Sequence, residues 1–129
     1  MPAFIDFKLL PILSQNLTQL GYERPTEIQE KSIPPLLEGR DLLGVAQTGS
    51  GKTASFSLPL IQKLLSSATG NTAKQVKALV LTPTRELAAQ VEQNILNYSQ
   101  GSNIKTKLVF GGVSRQVQID AIADGLDVL

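Results

Sequence analysis

Leu10, Leu13, Leu17 and Leu20 recur at the three- and four-residue steps of one helix face, and Gly21 follows them as a stop signal. That spacing predicts a helix over residues 10–20. A second helix opens in RPTEIQEKSI (24–33), where Thr26 and Gln29 stand at the separation of a capping box. Pro34 and Pro35 are expected to interrupt it before Gly39. The period then changes. DLLGVA (41–46) reads as a short buried strand running into a glycine-rich loop, and residues 52–65 return to a helical pattern with a kink expected at Pro59.

SSATGNTAKQ (66–75) is a polar loop, and VKALVLT (76–82) a second buried strand. Residues 84–98 place Leu87, Val91, Ile95 and Tyr98 on one helix face. TKLVFGG (106–112) reads as a third strand, 113–123 as a helix, and DVL (127–129) as the opening of a fourth strand. Strands alternating with helices predict an α/β fold whose parallel sheet is covered by helices on both faces. The chain carries neither an internal repeat nor a low-complexity tract.

Composition narrows the chemistry more than the fold. The 129 residues are 42% hydrophobic with a net charge of +1, the balance of one ordinary globular domain. Such a charge neither demands nor excludes a nucleic-acid partner, so any basic surface must be local. Cysteine and histidine are both absent. Disulfides, thiol nucleophiles, zinc sites of the usual ligand types and imidazole bases are therefore excluded. Lys, Arg, Ser, Thr, carboxylates, backbone N–H groups and a bound metal must supply the chemistry. The apolar run before Pro11 is too short for a signal peptide and no stretch approaches a membrane span, so a reducing, cytoplasmic setting is expected.

One stretch has the grammar of a phosphate cradle: AQTGSGKT, which is Ala46, Gln47, Thr48, Gly49, Ser50, Gly51, Lys52 and Thr53. Gly49 and Gly51 let the backbone curl so that successive N–H groups point inward at an anion. The helix that follows adds the positive end of its dipole. Lys52 reaches the outer phosphates as a point charge, and the Thr53 hydroxyl is placed to ligate Mg²⁺. The position after a predicted strand and before a predicted helix strengthens the reading. A P-loop alone still leaves kinases, transporters, GTPases and helicases open.

The flanks carry a resemblance. GYERPTEIQ (21–29), with the isolated Phe4 seventeen residues before Gly21, resembles the Q motif of DEAD-box RNA helicases. LVLTPTRELAAQ (79–90) resembles that family's motif Ia, and FGG (110–112) its glycine doublet. By this resemblance Gln29 reads the adenine edge, Phe4 stacks on the base and Arg24 is a neighbouring adenine contact. Pro83, Thr84, Arg85 and Glu86 would face an RNA backbone together with Gly111, Gly112 and, more weakly, Arg115. Local physics is compatible with these roles. A glutamine amide has donor and acceptor capacity beyond a capping box, and free N–H groups beside an arginine can hold a phosphate. Glu27 departs from the family, which often has an apolar residue or proline there.

The resemblance also shows what the chain lacks. No Walker B DEAD box occurs, and Asp120, Asp124 and Asp127 do not form one. The expected architecture is a RecA-like P-loop domain truncated before Walker B, with a Q-motif helical region over 1–40 and a partial ATP-binding domain over 41–129. The implied cofactors are ATP and Mg²⁺, the partners RNA and, in the intact parent, a second RecA-like domain. Alone, the chain is expected to hold ATP without turning it over, and to leave strand edges unpaired that invite self-association. The rivals are a non-catalytic ATP- and RNA-binding module and a different P-loop enzyme such as a small-molecule kinase.

Overall fold

The structure is a computed structural model that describes residues 2–67, 75–123 and 125–129. Most of the polar loop expected at 66–75, and Asp124, lie outside the described residues. Five helices carry the fold: α1 (Pro11–Gln19), α2 (Glu27–Leu37), α3 (Lys52–Ser66), α4 (Arg85–Tyr98) and α5 (Arg115–Ala123). A short 3-10 turn, Phe4–Phe7, precedes them. The Asp6 carboxylate closes that turn by accepting from the Ala3 N–H at 2.8 Å, and Lys8 ends it in a left-handed conformation, φ 55°.

The apolar faces read from the sequence meet in one core. Leu13 and Leu17 of α1, Ile33 of α2, Leu58 and Ile61 of α3, and Val91, Ile95 and Tyr98 of α4 are all buried, with Val128 among them. Each aliphatic side chain so buried contributes about 1.5–3 kcal/mol. The helix α3 packs against both α2 and α4, and α1 packs against α4. By contrast α5 buries none of its residues. The buried helical faces therefore come from α1 to α4.

The interruption expected at Pro34 and Pro35 is corrected, whereas Pro59 lies inside a helix as expected. Helix α2 runs through Pro34 and Pro35, and α3 through Pro59. Prolines withhold N–H donors from the preceding turn but leave their own carbonyls usable. The carbonyl of Pro34 accepts from the Glu38 N–H at 3.1 Å and that of Pro35 from the Arg40 N–H at 3.1 Å. Buried Ile33 and Pro59 keep both helices seated against the core, and that packing outweighs the missing bonds.

The predicted strands are realised only as bridged extended segments. Val128 pairs in parallel with Ala78 on one side and Thr106 on the other, and no longer ladder forms among the described residues. Val80 N–H donates to the Leu129 carbonyl at 2.8 Å, and Lys107 N–H to the Val128 carbonyl at 3.1 Å. Asp127 reinforces the seam: its carboxylate accepts from the Lys105 N–H at 3.0 Å and faces the Lys77 ammonium at 3.7 Å. The expected strand over 41–46 joins no sheet. The backbone of residues 41–45 makes no hydrogen bond to another described residue. Leu43 and Val45 are 94% and 89% exposed, and across a hollow of about 520 Å³ Leu81 is 84% exposed. Residues 41–45 and 76–82 are thus not bridged to each other among the described residues.

Polar contacts fix α4 to the start of the chain. The Asn16 amide donates to the carbonyls of Tyr98 at 2.8 Å and Gln100 at 2.9 Å. The hydroxyls of Tyr22 and Tyr98 share a hydrogen bond of 2.9 Å. Burial, aided by that bond, pushes the Tyr98 phenol well above its ordinary range. A raised folded-state value favours the neutral form, so this stabilisation is complete below about pH 10 and lost as pH rises beyond it. Denaturant midpoints followed from about pH 9 to about pH 11.5 should fall more steeply for the native chain than for Tyr98→Phe, by up to about 1.4 kcal/mol per pH unit. Parallel curves would remove Tyr98 as the cause.

Candidate nucleotide and nucleic-acid site

The phosphate loop is built where the extended segment 41–46 meets α3. Gly49 and Gly51 both adopt positive φ, 81° and 89°, and Gly51 is the N-cap of α3. The Ser50 N–H donates to the Gln47 carbonyl at 3.2 Å, closing the loop into a turn. Lys52 is exposed and folds back, its ammonium donating to the Ala46 carbonyl at 2.6 Å. Thr53, one residue further on, is half-buried.

Gln29 reaches this loop from α2. It is 4% exposed, and its amide is used at both ends. The Oε1 atom accepts from the Thr26 N–H at 2.9 Å, completing the capping box, and Nε2 donates to the Gly51 carbonyl at 3.1 Å. A Cβ at Gly51 would collide with that amide, so the glycine serves the contact as well as the positive φ. The capping box was legible in the sequence. The bond from Gln29 to Gly51, across 22 residues, was not, because no local signal announces it.

The cradle suits a phosphate group. Ser50 Oγ is buried inside the loop without a hydrogen-bond partner among the described residues, so it has capacity for an incoming anion. A hollow of about 410 Å³ opens beside Thr26, Lys31, Ala46, Gln47 and Ser50. Lys31 is held there by Glu27 at 2.6 Å, a shared hydrogen bond that lowers the Glu27 carboxyl and raises the Lys31 ammonium from their ordinary values. Among the described residues no cluster of three or more acidic side chains could hold a metal.

The other nucleotide residues scatter. Phe4 is 5% exposed and packs its ring against Phe7 and Tyr22, with centroids 5.7 Å away in each case. It is anchored in the core, and a base-stacking role rests on the resemblance alone. Arg24 lies exposed just before Pro25, and Thr48 and Gln47 are exposed on the loop.

The residues assigned to nucleic acid do converge in part. Thr84 caps α4, its hydroxyl accepting from the Leu87 N–H at 3.1 Å, and Pro83, Arg85 and Glu86 are exposed around that end. The glycine doublet is brought to the same place: a Cβ on Gly112 would lie 2.7 Å from Arg85 Nη2. Arg85 Cζ also sits 5.2 Å from the Phe110 ring centroid. Arg115 begins α5 and is exposed. Phe110 had been noted only as part of FGG, and its contact with Arg85 joins residues too far apart in sequence for spacing to suggest.

The chain is similar to known proteins in sequence and in backbone. The profile of the DEAD/DEAH box helicase family matches residues 26–129. The chain is 39% identical over 127 residues to an ATP-dependent RNA helicase DBP10 of Candida albicans, covering 98% of this chain and 14% of that protein. The corresponding helicase of Debaryomyces hansenii is 38% identical, with 98% and 13% covered. Among solved structures, a DEAD box protein from the hyperthermophile Methanococcus jannaschii superposes with a TM-score of 0.86 at 36% identity, covering 98% of this chain and 34% of that one. This chain thus spans a small part of the length of its curated relatives. No described helix is long and apolar enough to cross a membrane. On the family match and on a backbone shared with a solved member, the chain belongs to the DEAD/DEAH box helicase family.

Proposed function

We propose that this chain is the ATP-binding, RNA-contacting portion of an ATP-dependent RNA helicase, a RecA-like P-loop unit in which 1–40 form the Q-motif helical region and 41–129 the ATP-binding part. The observation that carries the proposal is the Gln29 amide bonded to Gly51, which joins an adenine-selecting position to a phosphate loop in one rigid piece. Lys52 leaves the Ala46 carbonyl for the outer phosphates, the free Ser50 hydroxyl and the loop N–H groups hold the inner ones, and Thr53 ligates Mg²⁺. Gln29 keeps one N–H and one lone pair unspent, enough for the two edge atoms of adenine. Arg24 and Phe4 complete the base site by family resemblance.

Bound ATP supplies the free energy of phosphoanhydride cleavage. These residues bind and orient it, and the carboxylate that positions water would come from outside this sequence. Pro83, Thr84, Arg85, Glu86, Gly111, Gly112 and Arg115 face an RNA backbone, and a second RecA-like domain provides the rest of the groove. The chain by itself would hold ATP without turnover in a cytoplasmic setting, and its unpaired 41–45 edge would let copies self-associate. A non-catalytic ATP- and RNA-binding module is the alternative reading; RNA-stimulated ATP hydrolysis by a longer chain that includes these residues would exclude it.

Titration with ATP tests the loop. Lys52→Ala should weaken binding about tenfold to a hundredfold, the loss of a charged hydrogen bond, whereas unchanged affinity would remove Lys52 from the phosphate site. A second comparison tests the base. In Gln29→Ala the preference for ATP over GTP should collapse toward unity, and a preserved preference in a folded variant would assign adenine reading to other residues.

A further inference from the structure

Arg85 is held from a direction that its own helix does not provide. Its guanidinium carbon lies over the Phe110 ring at 5.2 Å from the centroid. The space it occupies exists because Gly112 has no side chain: a Cβ there would lie 2.7 Å from Nη2 and 3.4 Å from both Cζ and Nη1. The backbone that carries the ring is itself held, since the Phe110 N–H donates to the Gln118 side-chain oxygen of α5 at 2.8 Å. Arg85 makes neither a hydrogen bond nor an ion pair with another described residue. The neighbouring Gly111 differs from Gly112, because a Cβ there would meet nothing within 4 Å.

We infer that Phe110 and Gly112 are positioning residues for Arg85: an aromatic ring and a bare Cα form a seat that aims its uncommitted guanidinium at a nucleic-acid phosphate before the ligand arrives. An aromatic face attracts the cation without using its N–H donors, so all of them stay available to an anion. Holding a long side chain in one place also removes entropy that binding would otherwise have to overcome. The second glycine of the doublet leaves room for the tip of the arginine, while its φ of 80° favours glycine independently. This inference rests on the reading of Arg85 as a backbone contact, and the two can fail separately.

The test uses the 129-residue chain and a single-stranded oligouridylate, with binding followed by fluorescence anisotropy across a salt series. Arg85→Ala should weaken binding and reduce the salt slope by about one counterion. Phe110→Leu should weaken binding about twofold to fivefold, the scale of an exposed cation–π contact. On the Arg85→Ala background Phe110→Leu should cost nothing further. The Arg85 Nε–Hε resonance provides a readout that does not need RNA, since ring current displaces it in the native chain and Phe110→Leu should move it back. An Arg85→Ala chain that binds like the native one would sink the backbone reading, and the inference with it. Weakened binding in Arg85→Ala beside native binding in Phe110→Leu, or equal losses from Phe110→Leu on both backgrounds, would overturn the seat alone. Tighter binding by Phe110→Leu would also overturn it, by making the ring a competitor for the arginine.

Discussion

The phosphate loop depends on one buried amide. A chain of glycines with positive φ has no intrinsic reason to keep a single shape, because glycine loses more freedom on ordering than any other residue. Gln29 supplies the constraint. Its oxygen is committed to the start of α2 and its nitrogen to the carbonyl at the start of α3, so the two helix ends share one side chain. Ile33, one turn further along α2, is fully buried in the core that also receives Leu58 and Ile61 of α3. The loop geometry is therefore set by helix packing and transmitted through a polar contact. Any motion of α2 relative to α3 must strain that bond or break it.

The sheet side offers no equivalent support. Asp127 and Val128 stitch the segments around Ala78 and Thr106, but residues 41–45 lead into the loop without a backbone partner among the described residues. Leu42, Leu79 and Leu81, all exposed, border the hollow that separates the two parts. Unpaired extended backbone lined by apolar side chains is costly in water and open to pairing. It follows that the loop is braced from its helical side alone.

The helices were legible because their signals are local and repeated. Leu13 and Leu17, or Val91 and Ile95, reveal a buried face by spacing, and Thr26 with Gln29 or Thr84 before α4 reveal starts by capping chemistry. Pro34 and Pro35 misled because their cost is local while the compensation, burial of Ile33, is tertiary. Strands depend on partners that local sequence does not name. An apolar run such as 41–46 encodes a wish to be buried between neighbours, and only the neighbours decide whether a ladder forms. The residues of the candidate site were visible as motifs, yet their contacts were not. Neither the bond from Gln29 to Gly51 nor the seat of Arg85 on Phe110 has a sequence period to betray it.

The same distinction explains how α4 can present a residue that it does not itself position. The C-terminal end of α4 is tied down by the Asn16 amide and the Tyr22 hydroxyl, and its N-terminal end is capped by Thr84. These contacts fix the axis of the helix and the Cα of Arg85. They leave the side chain beyond it undetermined, because an arginine has several rotatable bonds and a solvated rotamer ensemble. What selects one arrangement is a turn from elsewhere in the chain, with Phe110 offering a face and Gly112 offering room. That turn is fixed in its own right by Gln118 of α5, a helix that buries nothing. An exposed helix with no part in the core thus acquires a physical reason to be ordered: through one amide it holds the backbone of the residue whose ring lies under the exposed cation of α4.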